Sequence, residues 1–142
     1  MSSIFEPPDP AQLTRHADDL IRRASLVRRD GWDQYRHLWS RGEVIGMASH
    51  AGTTPMDRRR DAAVAVAELA LYVEHRAMKD ADSVGTIGFL QVPNGSTNVV
   101  PGRCQFTLDL RAPTDAQRDA MVSDVLAELA AICKRRQLHH TL

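Results

Sequence analysis

Three side chains have residue types and settings suited to ligand chemistry: His50, Asn98 and Arg111. His50 lies in the stretch ASHAGTTPM, where an imidazole ahead of a helix can donate to a developing negative charge or change protonation near neutral pH. Asn98 lies in the loop GSTNVVPG, and Arg111 ends a strand pattern with a planar guanidinium suited to carboxylates. Each also has a structural interpretation: a turn histidine bonded to backbone, a turn asparagine, and an arginine in a salt bridge across the sheet.

The sequence contains no recognisable metal or cofactor motif. His139 and His140 are adjacent, so along a strand they point to opposite faces and make a poor metal pair. Nucleophile-elbow, phosphate-loop and dinucleotide-binding motifs are also missing. The cysteines Cys104 and Cys133 lack metal-ligand spacing and lie in apolar patterns, which predicts buried, reduced thiols. We therefore expect the chain to bind no metal or cofactor of its own.

Composition narrows the class of protein. The 142 residues carry a formal net charge of zero and 5% aromatic side chains, so nothing indicates a nucleic-acid surface. No apolar run is long enough for a membrane span, and the polar start MSSIFEPPDP lacks the apolar core of a secretory signal. These features predict a cytoplasmic protein without nucleic-acid or membrane partners.

The chain divides near residue 41 into an N-terminal helical extension (1–40) and an alternating pattern of strands and helices (41–142). In the extension, an amphipathic helix is predicted over residues 11–29 and ends at Gly31. This helix either packs on the main domain as a surface helix or docks a partner protein. Its apolar stripe comprises Leu13, Ala17, Leu20, Ile21, Ala24 and Val27.

The second part starts with a strand over residues 43–49 and a helix from Thr54, as cap, to about Met78. In that helix Pro55 takes the first position and Asp57 completes a capping box. A second strand follows over residues 84–92, and then a loop over residues 93–103. The residues of the helix predicted to face the core are Ala63, Val66, Ala67, Ala70 and Val73.

The third strand, over residues 104–111, alternates most clearly, with Cys104, Phe106, Leu108 and Leu110 on one face. Thr114 and Gln117 cap a last helix, and LHHTL starts a fourth strand. The order β-α-β-β-α-(β) predicts an α+β fold, a ferredoxin-like sandwich with two helices on one face of an antiparallel sheet. Gln105, Thr107, Asp109 and Arg111 then lie on the uncovered face, where Arg111 can reach a ligand. The last helix turns Val122, Val125, Leu126, Leu129, Ile132 and Cys133 inward.

Three segments together resemble the lid, or dimerisation, domain of the amidase/hydantoinase/carbamoylase family of dinuclear metal hydrolases. They are GMASHAGTTPMDRRRDAAVAVAELA, GTIGFLQVPNGSTNVVPG and CQFTLDLRAPTD. The match covers about residues 43–137 in the family's order and spacing. That family includes N-carbamoyl-L-amino acid hydrolase, allantoate amidohydrolase and β-ureidopropionase.

The resemblance implies a hydrolase with two divalent metal ions, usually zinc or manganese, in a separate catalytic domain. It also implies that the lid domain is ferredoxin-like and forms a homodimer. The histidine that matches His50 reaches the neighbouring subunit's site and stabilises the tetrahedral oxyanion. The residues that match Asn98 and Arg111 bind the substrate, the arginine through its α-carboxylate.

The chain departs from the family in three places. The metal ligands belong to a catalytic domain that this chain does not contain, residues 1–40 do not match, and the fourth strand is cut short at Leu142. One hypothesis is a lid domain of an amidohydrolase for N-carbamoyl-L-amino acids or related ureido acids, inactive alone. The alternative is a non-catalytic dimerisation or small-carboxylate-binding module. The departures fit a gene fragment, a frame-altered product or a free-standing module.

Overall fold

The computed structural model describes residues 36–142, so the helix predicted over residues 11–29 lies outside the described residues. From Arg36 onward, short and long strands alternate with two helices and one 3₁₀ turn at Met56–Arg58. The elements are β1 (Arg36–Ile45), β2 (Ser49–His50), α1 (Ala62–Ala77), β3 (Val84–Thr86), β4 (Leu90–Gln91), β5 (Val99–Val100), β6 (Arg103–Ala112), α2 (Asp115–Arg136) and β7 (His139–Thr141).

The main sheet is antiparallel, with the strand order β3-β6-β1-β7 and β4 also paired to β6. The core packs α1 and α2 against one face of this sheet, and Phe106, Leu108 and Leu110 of β6 are fully buried there. Between them, Gln105, Thr107, Asp109 and Arg111 are only partly buried, as alternation along a strand requires. The predicted ferredoxin-like α+β fold and the two faces of β6 are confirmed.

β1 is longer and earlier than the strand predicted over residues 43–49. All ten of its residues pair with β6, from Arg36 with Ala112 to Ile45 with Arg103. Residues 36–40, which the predicted division at residue 41 assigns to the extension, therefore lie in the sheet. The pattern is weak in the sequence because His37, Trp39 and Arg41 occupy the open face.

The predicted start of the first helix is wrong. Thr54 and Pro55 lead into the 3₁₀ turn, and α1 begins only at Ala62, with Asp61 as its cap. The Asp61 carboxylate accepts hydrogen bonds from the amides of Ala63 and Val64, at 3.0 and 3.1 Å. Between the 3₁₀ turn and this cap, Arg59 is extended, and Arg60 forms a bridge in which Met47 N donates to Arg60 O at 3.0 Å.

The buried face of α1 is confirmed at Val66 and Val73 and is wrong at Ala67, which is exposed. Ala63 and Ala70 are only half-buried. The later start of the helix means that its periodicity must be counted from Ala62. The inward positions are Ala62, Ala65, Val66, Leu69, Val73, Arg76 and Ala77.

The strand predicted over residues 84–92 is two strands, β3 and β4, separated at residues 87–89. The loop predicted over residues 93–103 contains β5 and the first residue of β6. Residue 114 caps α2 as predicted: the Thr114 hydroxyl accepts from Gln117 N at 3.2 Å. Val125, Leu129, Ile132 and Cys133 of α2 are buried as predicted, whereas Leu126 is exposed and Met121 is buried in its stead.

β7 is the short fourth strand, and it pairs with β1 from Glu43 to Ile45. Both cysteines are buried free thiols, as predicted, and burial raises the pKa of each. Among the described helices, neither has the length and apolar character that crossing a membrane requires.

Candidate functional site

The β2–β5 ribbon brings His50 and Asn98 together. His50 pairs with Val99 and Ser49 with Val100 in antiparallel register. Beyond the last pair, Ala51 N donates to Asn98 O at 2.8 Å. Two motifs that are far apart in the sequence, ASHAGTTPM and NVVPG, thus form one exposed tip.

Glycine makes this ribbon possible. Gly46 N donates to Gly102 O at 2.8 Å where the chains leave the β1–β6 ladder. A Cβ atom at Gly102 would stand 2.6 Å from Ala48 N, closer than real Cβ contacts allow. Any other residue at 102 would therefore push the two chains of the ribbon apart.

The local contact of His50 defines its tautomer. Gly52 N donates to the Nδ1 atom of His50 at 3.0 Å. A backbone amide can only donate, so Nδ1 carries a lone pair and the neutral ring carries its hydrogen on Nε2. His50 is exposed, so Nε2–H is available to donate to a ligand. The backbone-bonded turn histidine and the ligand-facing histidine are therefore compatible, because they use different nitrogens.

The turn that follows His50 is tied to the middle residue of the arginine run 58–60. Thr54 N donates to His50 O at 3.0 Å, which closes the turn. Arg59 donates from Nη2 to Ala51 O at 2.6 Å and from Nε to Thr54 O at 3.1 Å. Sequence reasoning identified neither Gly52 nor Arg59, because nothing in the run RRR distinguishes its members.

Asn98 is exposed, and its Oδ1 accepts from Ser96 Oγ at 3.0 Å. Its backbone carbonyl holds the Ala51 amide, so the residue has the local turn role that the sequence allowed. Its side-chain NH₂ group makes no hydrogen bond with residues 36–142. That group is exposed and can donate at the same tip of the ribbon.

Arg111 has a different partner from the one expected across the sheet. Its Nε and Nη2 donate to the two carboxylate oxygens of Asp109, at 2.9 and 2.6 Å, along the same strand. These hydrogen bonds lower the pKa of Asp109 and raise that of Arg111. The Arg111 side chain is still 42% exposed, so further N–H groups of the fork face solvent.

Arg111 lies far from the other two predicted site residues. It is near the end of β6, and Arg103, which starts β6, is eight residues away, a rise of about 26 Å along an extended strand. His50 and Asn98 lie beyond Arg103, on the ribbon that continues the β1–β6 ladder. One copy of the chain therefore does not place Arg111 beside His50 and Asn98.

Within residues 36–142, no group of three or more His, Cys, Asp or Glu side chains gathers where a metal ion could bind. A groove of about 470 Å³ does lie beside the 3₁₀ turn. It is lined mainly by arginines, including Arg58, Arg60 and Arg135, and by none of the three predicted site residues.

No protein-family model matches the chain. Individual known proteins do match it. An N-carbamoyl-L-amino acid amidohydrolase of Geobacillus stearothermophilus is 36% identical over 104 residues, which are 73% of this chain and 25% of that protein. A ureidoglycolate hydrolase of Arabidopsis thaliana is 34% identical over 98 residues, 68% of this chain and 21% of that protein.

A solved structure has the same fold. The hydantoinase/carbamoylase family amidase from Burkholderia multivorans superposes with a TM-score of 0.74 at 33% identity, over 75% of this chain and 26% of that one. The chain thus spans about a quarter of the length of the relatives that it matches. By sequence and by fold, this part of the chain belongs to the hydantoinase/carbamoylase family of amidases.

Proposed function

We propose that the chain carries, from residue 36 to residue 142, a lid and dimerisation domain of a metal-dependent amidohydrolase for N-carbamoyl-L-amino acids or related ureido acids. It supplies substrate-binding and oxyanion-stabilising residues and leaves the metal ions to a catalytic domain or partner chain. The relatives' names, which include N-carbamoyl-L-amino acid amidohydrolase and ureidoglycolate hydrolase, support the ureido class. They do not separate its members.

The outward Nε2–H of His50 is the observation that carries this proposal. Hydrolysis of a ureido group moves negative charge onto its oxygen when the carbon is attacked, and a preorganised donor lowers the barrier. The bond from Gly52 N to Nδ1 holds that donor in place without a ligand. The Asn98 amide is a second exposed donor, on the other chain of the same ribbon.

Arg111 takes the substrate carboxylate in this proposal. Its Nε and Nη2 face Asp109, and its remaining N–H groups are open to a second carboxylate on the exposed sheet face. The rise of about 26 Å from Arg103 to Arg111 exceeds the length of a small ureido acid. We therefore assign His50 and Asn98 of one copy and Arg111 of another to the same ligand.

Such a site needs two copies, and α1 offers a surface for the contact. Val64, Leu71 and Met78 recur every seven residues at α1 and its cap, and they are 45%, 71% and 69% exposed. Residues seven apart lie on the same side of a helix, so these three form an exposed apolar stripe, which is a candidate contact surface. We propose that the chain forms a homodimer through this stripe.

Light scattering tests the dimer. We expect wild type to have twice the monomer mass and Leu71→Glu to be monomeric, because a charge at the centre of the stripe would be buried. Met56→Glu is the control, since Met56 is 77% exposed and lies outside α1. A monomeric wild type, or a dimeric Leu71→Glu, would contradict the stripe.

The family's two zinc or manganese ions do not fit residues 36–142, which bring no sufficient set of ligands together. Bound to a catalytic domain, those ions would activate the attacking water. We accordingly expect the purified chain to hydrolyse no N-carbamoyl amino acid, even with added manganese. A cytoplasmic location is part of the proposal, and the two buried free thiols support it.

Titration calorimetry with N-carbamoyl-L-amino acids tests the binding roles. Arg111→Ala should weaken binding about tenfold or more, since hydrogen bonds to charged groups contribute about 1.5–3 kcal/mol. His50→Ala and Asn98→Ala remove bonds to the ureido oxygen, which is neutral before attack, and should each cost about 0.5–1.5 kcal/mol, or about two- to tenfold in affinity. His75→Ala and Arg118→Ala, both outside the site, are the controls and should bind like wild type.

Two results would change the conclusion. Turnover by the purified chain would refute the claim that it works only as a lid. Binding of simple carboxylates that depends on Arg111 alone, with no preference for a ureido group, would favour the non-catalytic carboxylate-binding module.

A further inference from the structure

We propose that Arg59 is a positioning residue for His50: its guanidinium holds the turn that keeps the imidazole in the Nε2–H tautomer. The inference rests on the proposed function, in which Nε2–H is the donor to the ligand, and it names the residue on which that donor depends. Arg59 itself touches no ligand in this proposal.

One guanidinium spans the turn that follows His50. Nη2 of Arg59 donates to Ala51 O at 2.6 Å, and Nε donates to Thr54 O at 3.1 Å. The two accepting carbonyls lie on either side of Gly52 and Thr53. The planar fork of arginine can hold both at once, whereas a lysine ammonium is a single point of contact on a flexible stem.

The imidazole depends on this turn because its Nδ1 atom accepts from an amide inside it. Gly52 N lies 3.0 Å from Nδ1, and an added Cβ at Gly52 would lie 3.1 Å from His50 Cε1. If the turn opens, the Gly52 amide leaves Nδ1 and both neutral tautomers become populated. The molecules with hydrogen on Nδ1 then lack the outward donor.

Arg59 is held on both sides by the backbone. Arg59 N donates to Met56 O at 3.4 Å, which ends the 3₁₀ turn, and the next residue is fixed by the bridge from Met47 to Arg60. The neighbouring arginines have other contacts. Arg60 donates to Gln137 Oε1 at 2.7 Å. Arg58 is exposed, and its guanidinium makes no hydrogen bond with residues 36–142, although its backbone amide donates to Pro55 O at 3.1 Å. Arg58 is therefore the matched control.

The test is the tautomer of His50, read from two-bond proton–nitrogen NMR spectra of the ¹⁵N-labelled full chain at about pH 8, where a free imidazole is neutral. His50→Gln identifies the His50 signals. We expect wild type and Arg58→Ala to show hydrogen on Nε2 alone. Arg59→Ala should show hydrogen shared between both nitrogens, with the amide signals of β6 unchanged.

Arg59→Lys is the second variant and decides the matter if Arg59→Ala does not fold. It should give an intermediate mixture, because lysine reaches only one of the two carbonyls at a time. A pure Nε2–H signal in a folded Arg59→Ala or in Arg59→Lys overturns the proposal. So does an Arg58→Ala spectrum with the same mixture.

The readout needs no ligand, so the two proposals fail separately. A wild-type chain with a pure Nε2–H tautomer that depends on Arg59 but binds no ureido acid would refute the proposed function and leave the role of Arg59 standing. If a folded Arg59→Ala keeps both the wild-type tautomer and the wild-type affinity for ureido acids, the role of Arg59 is refuted and the proposed function stands.

Discussion

On the open face of the sheet, Asp109 and Arg111 hold each other through two hydrogen bonds, at 2.9 and 2.6 Å. The pair is partly exposed, with 30% of the Asp109 side chain and 42% of the Arg111 side chain accessible. Pairs of this kind contribute at most about 1 kcal/mol to stability. In the proposed function the pair serves orientation, because Asp109 would fix the guanidinium before a ligand arrives.

The pair should contribute to the acid sensitivity of the chain. The hydrogen bonds from Arg111 lower the pKa of Asp109, although burial opposes this. The stabilisation is complete above the ordinary aspartate pKa of about 4 and is lost as pH falls through the depressed folded value. In urea unfolding, Asp109→Asn should therefore lose less free energy of unfolding than wild type below about pH 4.

Arg111→Gln should remove the same part of the acid dependence, because Asp109 then titrates nearer to its ordinary pKa. If the acid dependence of Asp109→Asn is parallel to that of wild type, the pair does not stabilise the folded chain.

At this scale, sequence patterns predict where a residue stands better than what it binds. The position of His50 next to a turn follows from ASHAGTTPM, and that of Arg111 on the open face follows from the alternation in β6. The Gly52–Nδ1 bond does not, because an imidazole offers two nitrogens and local sequence does not choose between them. The link from Arg59 to two carbonyls depends on how the chain turns.

Among the elements, α1 and α2 are joined by a buried arginine. Arg76 is 7% exposed, and it donates from Nε to Asp124 of α2 and from Nη1 to Asp80, each at 2.6 Å. Its removal would leave two carboxylates without their shared donor. Arg76 was not predicted to be buried, because a charged residue interrupts the apolar pattern of α1.

Arg76→Ala should lower the free energy of unfolding by about 1–3 kcal/mol, the cost of losing hydrogen bonds to charged groups. The matched control is Arg118→Ala, which removes ion pairs to Asp115 and Asp119 within α2 and should cost at most about 1 kcal/mol. Urea unfolding measures both. Equal costs for the two variants would mean that Arg76 does not clamp the helices.

We expect the hydrogen bonds of the β2–β5 ribbon to open while the hydrophobic core stays folded. In Gly102→Ala, the new Cβ meets the Ala48 amide at 2.6 Å, so we expect hydrogen exchange at Ala51 N to accelerate about tenfold or more, equivalent to about 1.4 kcal/mol. Exchange in β6 should stay slow. Gly88→Ala is the control, since only Thr107 Oγ1, at 3.9 Å, would be near its Cβ. Unchanged protection at Ala51 would show that the ribbon tolerates a side chain there.

Element order follows from the sequence because apolar periodicity is strong in β6 and α2. The start of α1 does not follow from the sequence, because Thr54, Pro55 and Asp57 also form a plausible helix cap. The observed cap is Asp61, which directly follows the pairing of Met47 with Arg60. Non-local pairing of this kind overrides a local signal.

At the scale of the whole molecule, the fold itself was predictable, since the order of strands and helices admits few topologies. The distance between the predicted site residues could not be predicted from the sequence. Asn98 and Arg111 are close in the sequence, yet an almost fully extended strand lies between them. An extended segment separates its ends as far as a chain can.

The length of that strand predicts complementation: two variants that each lack a complete site should regain one when they form a mixed dimer. If His50 of one copy and Arg111 of another serve one ligand, His50→Ala and Arg111→Ala homodimers have no complete site, whereas each mixed dimer has one. An equimolar mixture, unfolded and refolded together, should recover about one quarter of the wild-type number of ureido-acid sites, by random pairing of two equal chain types in a symmetric dimer. Calorimetry counts them, and a mixture that binds no better than its components would place all the ligand contacts within a single copy.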